Sequence, residues 1–483
     1  MPWTVRKRGN STALGVGLLA VALSAPSTTS NHPAAAAVAK KVQHVVVLYQ
    51  ENHTHDETLG VVCQRRANPC DGFTGTVTLK GGVRVAMRKS PDIVPVVDHS
   101  VSAQDRAVDG GLMDGWATLR GCGALHAYSC LSYYTPDQIP NLAALANRYA
   151  VASRMFSMSD SPSWGGHLYP ATSTLDGFTG DNPPVAATTG PGWGCDSGKV
   201  SPWRNPRTGQ VTDQPTCIPD YSLNPNTHPF GGAFRQTPVK EVRTILTNLT
   251  AAKLAWKIYG QPTPGPAKSP KGESSAPYVW SICPSIASCL YTHQVNNLVP
   301  AADILSDAAH GTLPTYSIIT PGDSATKAAG GGTSQHNHNS MLIGDNWIGR
   351  VVSAIQQGPD AATTTIFITY DDCGCFYDHV RPGVNPDGTK QGPRLPMVII
   401  SPYAKPGYTD PKPATFNSVL AYTEHAFGLP ALTVNDAAAY DFSNAFNYNQ
   451  TPLTPVPLAQ RLPPPASRSF LSTHRNGDEA EES

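Results

Sequence analysis

The sequence predicts an α/β sandwich built on a mostly parallel central sheet. Residues 44–49 (HVVVLY) form a continuous apolar run rich in β-branched side chains, which is the pattern of a strand buried on both faces. Residues 365–370 (TIFITY), 397–401 (MVIIS) and 315–319 follow the same pattern. Helical repeats separate these runs, and buried strands that alternate with helices are typical of α/β proteins.

Two segments carry the apolar spacing of a helix. The first follows Asp345, which we interpret as its cap, and comprises Ile348, Val351, Val352 and Ile355. The second comprises Ile245, Leu249, Ala252 and Trp256. Residues 170–300 are otherwise irregular and rich in Pro, Gly, Trp and Cys, so we interpret them as loop-rich insertions folded over the sheet.

The composition limits the class of protein. Lys and Arg total 35 and Asp and Glu also total 35, so no basic excess is present to neutralise nucleic-acid phosphates and we expect no nucleic-acid partner. Hydrophobic residues make up 40% of the 483-residue chain, which is enough for a large core. Low charge together with 42 Gly and 45 Pro favours a compact, loop-rich secreted enzyme or binding protein.

The two ends of the chain differ from its middle. Three basic residues at 6–8 precede an apolar stretch at 13–23 that is too short for an ordinary membrane span. Residues 1–38 are therefore predicted to be a secretory signal peptide with a small-residue segment, with a retained N-terminal anchor as the alternative. Residues 39–452 are expected to form one domain. The Pro-rich and then acidic residues 453–483 are expected to be a disordered tail.

Ten cysteines favour an oxidising, extracellular compartment. Eight of them fall into pairs that are close in sequence, and local disulfide bonds are the simplest expectation: Cys63 with Cys70, Cys122 with Cys130, Cys195 with Cys217, and Cys283 with Cys289. A bond between Cys373 and Cys375 would be strained because one residue separates them. These two are bonded elsewhere, joined despite the strain, or free.

Acidic and amide side chains follow two of the predicted strands. Glu51 and Asn52 come after the first strand, and Asp371 and Asp372 follow residues 365–370. Ligand sites of α/β sheets lie beyond the carboxyl ends of their strands, and such oxygen-rich groups suit a divalent cation. Both aspartates can reach one cation only if the chain bends after them. The alternative is that these acids cap helices or turns.

A serine in a Gly-rich turn is the candidate nucleophile. Residues 161–167 (SPSWGGH) would let Ser163 approach a phosphate with little steric hindrance. An ordinary turn is the alternative. The G-x-S-x-G motif of common serine esterases does not occur in the sequence.

A series of segments in fixed order makes the assignment more specific. They are residues 44–52 with Asp56 and Gly60, 98–100, 110–116, 163–167, 254–260, 335–336, 344–347, 370–372, 376–379 and 395–403. This series resembles the motifs of the bacterial phospholipase C/acid phosphatase family of phosphoesterases. The resemblance extends from about residue 43 to residue 431, which is nearly the whole predicted mature chain.

The resemblance implies an alkaline-phosphatase-like fold and metal-assisted cleavage of phosphate esters. It implies a divalent metal ion of unknown identity held by Glu51, Asn52, Ser163, Asp371 and Asp372. Ser163 would be the nucleophile, and the phosphate-facing histidines would be His99, His336 and His379. The chain departs from the family pattern at several positions, among them His167 in place of an arginine and Gln335 in place of a glutamate.

These observations predict a secreted phospholipase C-type phosphodiesterase that acts on glycerophospholipids and contacts the membrane surface transiently. An acid phosphatase acting on small soluble phosphomonoesters is the first alternative, and a non-catalytic secreted binding protein is the second. A zinc site that combines His336 and His338 with Cys373 or Cys375 is a further alternative for the metal.

Overall fold

The computed structural model describes residues 41–183, 193–195, 197–205, 208–219, 242–260, 282–322 and 332–473. The predicted signal peptide and residues 474–483 of the predicted tail lie outside the described residues. None of the described helices is both long enough and apolar enough to span a lipid bilayer.

The described residues form fourteen strands, eleven α-helices and several 3₁₀-helices. The strands are β1 (His44–Gln50), β2 (Thr76–Thr78), β3 (Arg84–Ala86), β4 (Arg88–Lys89), β5 (Ser132–Tyr133), β6 (Ala150–Ala152), β7 (Val200–Arg204), β8 (Val211–Pro215), β9 (Trp256–Gly260), β10 (Leu298–Pro300), β11 (Tyr316–Ile319), β12 (Thr364–Tyr370), β13 (Met397–Ile400) and β14 (Thr409–Asp410). The α-helices are α1 (His55–Arg65), α2 (Val101–Val108), α3 (Pro140–Arg148), α4 (Ser163–Leu168), α5 (Ile245–Ala251), α6 (Ala287–Leu290), α7 (Asp303–His310), α8 (Met341–Gln357), α9 (Phe416–Phe427), α10 (Val434–Ala437) and α11 (Pro465–Thr473). The 3₁₀-helices are Asp109–Gly111, Gly115–Thr118, Ala124–His126, Cys283–Ser285, His293–Asn297, Pro359–Thr363 and Ser443–Ala445.

Eight strands form one sheet in the order β10-β9-β11-β1-β12-β13-β6-β14. Every neighbouring pair is parallel except the two pairs that contain β13, which runs antiparallel to β12 and to β6. In the register of β1 with β12, Gln50 lies opposite Tyr370. The predicted α/β fold with a mostly parallel sheet is confirmed, and the ends of β1 and β12 lie side by side.

Hydrophobic clusters cover both faces of the sheet. Val46 and Leu48 of β1 belong to one cluster, which includes apolar residues of α1, α3 and α8. Val45, Val47 and Tyr49 belong to the other, which includes residues of α4, α5 and α9. Because alternate residues of a strand face opposite sides, the continuous apolar sequence of β1 is explained by helices on both faces.

Two details of the helix predictions are wrong. Helix α8 begins at Met341 with Ser340 as its N-cap, so Asp345 lies inside it. The Asp345 carboxylate instead accepts hydrogen bonds from the N–H groups of Asn141 and Leu142 in the first turn of α3. Trp256 begins β9 rather than extending α5, because the chain turns through a left-handed residue, Lys253, with φ of 58°.

Part of the predicted tail, residues 453–473, forms contacts with the domain. The side-chain amide of Asn141 donates to Ala459 O and accepts from Ala459 N, each over 2.8 Å. Asn346 pairs in the same way with the backbone of Arg461. Through these two amides a Pro-rich segment is held against α3 and α8 before α11 begins.

All four predicted local disulfide bonds are present in the structure, which confirms that expectation. Cys373 and Cys375 are free and buried, with their Sγ atoms 3.7 Å apart. Of the three possibilities left open for this pair, the structure shows the free thiols.

Candidate active site

The site begins where β1 ends. Glu51 and Asn52 are both fully buried, and Asn52 adopts a left-handed conformation with φ of 56°. Its backbone N–H donates to Asp371 Oδ1 over 3.0 Å. A Cβ atom on Gly374 would lie 2.0 Å from Asn52 O. The turn after β1 is therefore packed directly against the turn after β12, and only glycine fits at this point of contact.

Asp371 and Asp372 lie just before a bend in the chain, which both need if they are to reach one cation. Asp371 N donates to Gln50 O over 3.3 Å, which continues the pairing of the two strands. Asp372 Oδ1 then accepts from Gly374 N over 2.7 Å, and Gly374 and Cys375 have φ values of 51° and 50°. The left-handed pair reverses the chain, so both carboxylates remain at the same end of the sheet.

Ser163 is the first residue of α4 and joins this group from another part of the chain. Its Oγ donates to Asp372 Oδ2 over 3.2 Å and lies 3.4 Å from the side-chain amide of Asn52. A Cβ atom on Gly166 would lie 2.4 Å from Asp371 O. The glycine that follows the serine thus allows α4 to approach the Asp371 backbone closely.

His99 and His336 both face the side-chain amide of Asn52. His99 Nδ1 donates to Val97 O over 2.8 Å, and His336 Nδ1 donates to Asn337 O over 3.0 Å. Because a carbonyl oxygen can only accept, each ring carries its proton on Nδ1. Nε2 of His99 lies 3.2 Å from the Asn52 amide and Nε2 of His336 lies 3.1 Å from it. Nε2 is therefore the atom that each histidine turns toward the site.

His379 lies in a network of charged side chains. Its Nδ1 is 2.6 Å from Asp56 Oδ2 and its Nε2 is 3.1 Å from Asp71 Oδ1. Burial would lower the pKa of His379, but the hydrogen bond and charge of Asp56 raise it overall. The fully buried Arg394 binds Asp56 and Asp378 in the same network. Both ring nitrogens thus contact carboxylates.

His167 also lies at the site, although from the sequence it stood out only as a histidine in place of the arginine of the family pattern. Its Nε2 lies 3.0 Å from Glu51 Oε1 and 3.6 Å from Asp371 Oδ2. Burial lowers its pKa to about 4, although the charge of Asp371 acts in the opposite direction, so the ring is neutral near pH 7. Its position four residues after Ser163, one turn along α4, was the available signal.

The chemistry of this donor set fits a divalent cation. With the Asn52 amide oxygen turned toward the carboxylates, it lies 3.0 and 3.1 Å from the two oxygens of Asp371 and 3.3 Å from Glu51 Oε2. In this orientation the acceptors face one another as ligands around a cation do, and in the reverse orientation the amide nitrogen donates hydrogen bonds to the same oxygens. Ligand atoms of Glu51, His167 and Asp371 lie within 4.8 Å of one another.

The zinc alternative finds no support in the structure. Among the described residues, the groups of three or more candidate ligands are the one above, Asp56 with Asp378 and His379, and His55 with the disulfide-bonded Cys63 and Cys70. The backbone N–H of His338 donates to Val94 O, and its ring lies against Phe470.

Fold and site together define an α/β protein with a buried, oxygen-rich cluster at the carboxyl ends of its parallel strands. The chain belongs to the phosphoesterase family, a family of phosphoric ester hydrolases, whose sequence model matches residues 42–430. The resemblance seen in the sequence is thereby confirmed.

Known proteins similar to this chain include two phospholipases. A non-hemolytic phospholipase C of Pseudomonas aeruginosa is 23% identical over 478 residues, covering 86% of this chain and 59% of its own length. Phospholipase C A of Mycobacterium tuberculosis is 21% identical, covering 85% and 78%. The chain thus spans less than two thirds of the Pseudomonas protein. A solved alkaline phosphatase superfamily protein from Vibrio parahaemolyticus aligns with a TM-score of 0.34 at 12% identity, covering 83% of this chain and 70% of that one.

Proposed function

We propose that this protein is a secreted phosphodiesterase of the phospholipase C type, which hydrolyses glycerophospholipids by means of Ser163 and a divalent cation. One observation carries the proposal. The Ser163 hydroxyl lies within hydrogen-bonding distance of Asp372 and of the Asn52 amide, at the point where Glu51 and Asp371 also converge. A hydroxyl beside clustered carboxylates, with two imidazoles on the same Asn52 amide, is the set of groups that phosphoryl transfer through a serine requires.

The cation would be held by Glu51, Asn52, Ser163, Asp371 and Asp372, and when bound it would neutralise phosphate charge and favour ionisation of the serine hydroxyl. Ser163 Oγ attacks phosphorus, and the hydroxyl proton has an acceptor in Asp372 Oδ2 at 3.2 Å. The bond from phosphorus to the alcohol oxygen breaks. His99 or His336, in the imidazolium form with a proton on each ring nitrogen, then donates the Nε2 proton to that oxygen and keeps the one on Nδ1.

Hydrolysis of the resulting phosphoserine completes the reaction. A water molecule attacks phosphorus on the side opposite Ser163 Oγ and gives up a proton to the bare Nε2 of that histidine, and the serine recovers its proton from Asp372 as the phosphorylated headgroup leaves. The Nδ1 hydrogen bonds of His99 and His336 to main-chain carbonyls fix which nitrogen of each ring faces the substrate. Neither imidazole has to rotate between the two steps.

Export to an oxidising compartment is part of the proposal. The four disulfide bonds support it, because such bonds are rare in proteins of the cytosol. The basic and apolar residues at 6–23 would supply the signal. N-terminal sequencing of protein recovered from the culture medium tests this step, and full-length protein confined to cells would contradict it.

The function is tested by a substrate panel on purified protein with a series of divalent metals. The panel contains phosphatidylcholine, p-nitrophenylphosphorylcholine and p-nitrophenyl phosphate. We expect turnover of both diesters and release of phosphocholine. Turnover of the monoester alone would establish the acid phosphatase alternative, and no turnover of any of the three with any metal would favour a binding protein.

A further inference from the structure

His53 directly follows Asn52 in the turn after β1 and is fully buried. Its Nε2 lies 2.9 Å from Gln335 O, and its Nδ1 lies 2.7 Å from Glu57 Oε2. Because a carbonyl oxygen can only accept, Nε2 carries a proton and donates it to Gln335. Both ring nitrogens of His53 are thus bonded within the protein, so any effect of this residue on the reaction passes through its partners.

The ring of His53 is held in one orientation by its surroundings. It stacks on Phe376 with ring centroids 5.2 Å apart, and it meets Tyr134 and Tyr370 edge to face. A proton lies between Nδ1 and the buried Glu57 carboxyl, since two bare acceptors would repel one another at 2.7 Å. Ring packing and this hydrogen bond together fix the direction of the Nε2–H group.

Gln335 is bonded to the same turn a second time. Its backbone N–H donates to Gln50 Oε1 over 2.9 Å. Gln50 immediately precedes, and His53 immediately follows, the two candidate metal ligands at positions 51–52. The main-chain N–H and C=O of Gln335 are therefore both bound by side chains that flank these ligands.

The hydrogen bond from His53 acts on His336, the residue after Gln335. The C=O of Gln335 and the N–H of His336 belong to one planar peptide unit, so fixing the carbonyl fixes the orientation of the whole unit. The same N–H donates to Ser334 Oγ over 2.9 Å. Nε2 of His336 lies 3.1 Å from the side-chain amide of Asn52. The placement of His336 relative to Asn52 thus depends on His53, which adjoins Asn52 in the chain.

We infer that His53 is a positioning residue that holds His336 for protonation of the leaving group. The inference rests on the proposed function, and it assigns to His336 the proton transfer for which His99 is the other candidate. In that step the bond from phosphorus to the alcohol oxygen breaks and its electron pair stays on the oxygen. The Nε2 proton of the His336 imidazolium then moves to that oxygen.

Asparagine and glutamine at position 53 separate the two hydrogen bonds of the ring. An asparagine amide extends about as far as Nδ1, toward Glu57, whereas a glutamine amide extends about as far as Nε2, toward Gln335. His53→Asn should therefore release the peptide unit, and His53→Gln should retain it. His44→Asn is the matched control, because His44 lies at the other end of β1 and its Nδ1 donates to Pro314 O over 3.0 Å.

The leaving group distinguishes a displaced proton donor from a general loss of structure. p-Nitrophenolate leaves readily without a proton, whereas the alkoxide of a diacylglycerol needs one. The measurement is kcat/KM, which covers the steps up to release of the leaving group, for p-nitrophenylphosphorylcholine and for monomeric dihexanoylphosphatidylcholine. We expect His53→Asn to lower kcat/KM about a hundredfold on the lipid and little on the nitrophenyl ester. His53→Gln and His44→Asn should change it little on either.

A double-mutant cycle tests whether His53 acts through His336. In a His336→Ala background, His53→Asn should cause no further loss of kcat/KM on the lipid, because the effects of coupled residues do not add. Crystal structures of the variants give a readout that is independent of activity. Nε2 of His336 should keep its 3.1 Å distance from the Asn52 amide in His53→Gln and should move by about 1 Å in His53→Asn.

Several outcomes would overturn the inference. They are an unmoved His336 in His53→Asn, an equal loss or no loss on the two esters, glutamine that performs no better than asparagine, and a further loss in the His336→Ala background. If asparagine prevents folding, His53→Phe takes its place, since it keeps a ring against Phe376 and lacks the Nε2 donor.

The same experiments separate this inference from the proposed function. Wild-type protein that hydrolyses both esters, together with any of the contrary results, removes the positioning role alone. Wild-type protein that hydrolyses no phosphoester, with His336 displaced in His53→Asn and in place in His53→Gln, removes the proposed function while the contact from His53 to the His336 peptide unit stands.

Discussion

Ser163 Oγ donates a hydrogen bond to Asp372 Oδ2 over 3.2 Å, although 209 positions separate the two residues in the sequence. The contact exists because α4 packs its glycine against the backbone of Asp371, and because the left-handed turn at Gly374 and Cys375 reverses the chain after β12. The candidate nucleophile and a candidate metal ligand are therefore positioned by the same packing contact.

Ser163→Ala should abolish catalysis while leaving the fold intact. The hydroxyl is the only atom lost, and we expect kcat to fall by at least about a thousandfold, as for other nucleophile deletions. Ser161→Ala is the matched control, because Ser161 is equally buried but donates to the backbone carbonyls of Pro162 and Gly180. The measurement is kcat on p-nitrophenylphosphorylcholine, with circular dichroism as the check of folding. Near-normal turnover in a folded, metal-loaded Ser163→Ala protein would remove this residue from the nucleophile role.

Asp371→Asn should weaken retention of the metal. The carboxylate oxygens lie 3.0 and 3.1 Å from the side-chain amide group of Asn52, and one of them lies 3.6 Å from His167 Nε2, so replacing the carboxylate with a neutral amide removes charge from the centre of the cluster. Elemental analysis after dialysis should find substoichiometric metal in this variant and full occupancy in Asp213→Asn, whose aspartate is exposed on β8. Equal metal content in the two variants would show that Asp371 is not an essential ligand.

His167→Ala should lower metal affinity by about tenfold to a hundredfold, the usual effect of losing a group that orients a ligand. The neutral imidazole donates from Nε2 to Glu51 Oε1 over 3.0 Å, and without it the Glu51 carboxylate is no longer held in place. His167→Gln should recover most of the affinity, since an amide N–H can replace the donor. Titration of the metal-free protein by calorimetry measures both. An alanine variant with unchanged affinity, or a glutamine variant no better than alanine, would refute the orienting role.

The parts of the fold that follow from local sequence were predictable. Residues 44–49 and 365–370 gave two buried strands, and two parallel strands leave the residues after them at one edge of the sheet. That argument alone places Glu51 near Asp371. The bend that brings Asp372 to the same side was expected at Cys373 and Gly374, because glycine readily adopts left-handed conformations.

The features that the sequence left open depend on partners distant along the chain. His379 is held by Asp56 and Asp71, which lie more than 300 positions before it. Residues 453–464 are ordered because Asn141 and Asn346 supply amides at the right spacing. No local pattern marks an asparagine as the partner of a remote backbone segment, so these contacts could not be predicted from composition.

Titration of Glu424 in α9 should make the unfolding free energy of the protein depend on pH. Burial, together with a hydrogen bond to Asp436 and the charge of that residue, raises the pKa of Glu424 to about 9 from an ordinary value of 4.5. Burial would also raise the pKa of Asp436, but hydrogen bonds from Thr433 and the Leu432 N–H lower it overall, so Asp436 is the ionised partner.

The sign follows from proton uptake on folding. Between pH 4.5 and about 9 the folded state holds a proton on Glu424 that the unfolded state releases, so stability from this group is complete below pH 4.5 and is lost as the pH rises toward 9. Glu424→Gln keeps a neutral side chain of the same shape at every pH. The unfolding free energy of Glu424→Gln minus that of wild type should therefore increase as the pH rises from 5 to 9, by at most about 1.4 kcal/mol per pH unit. Urea unfolding of both proteins across this range measures the difference, and parallel pH profiles would show that Glu424 is already ionised in the folded protein.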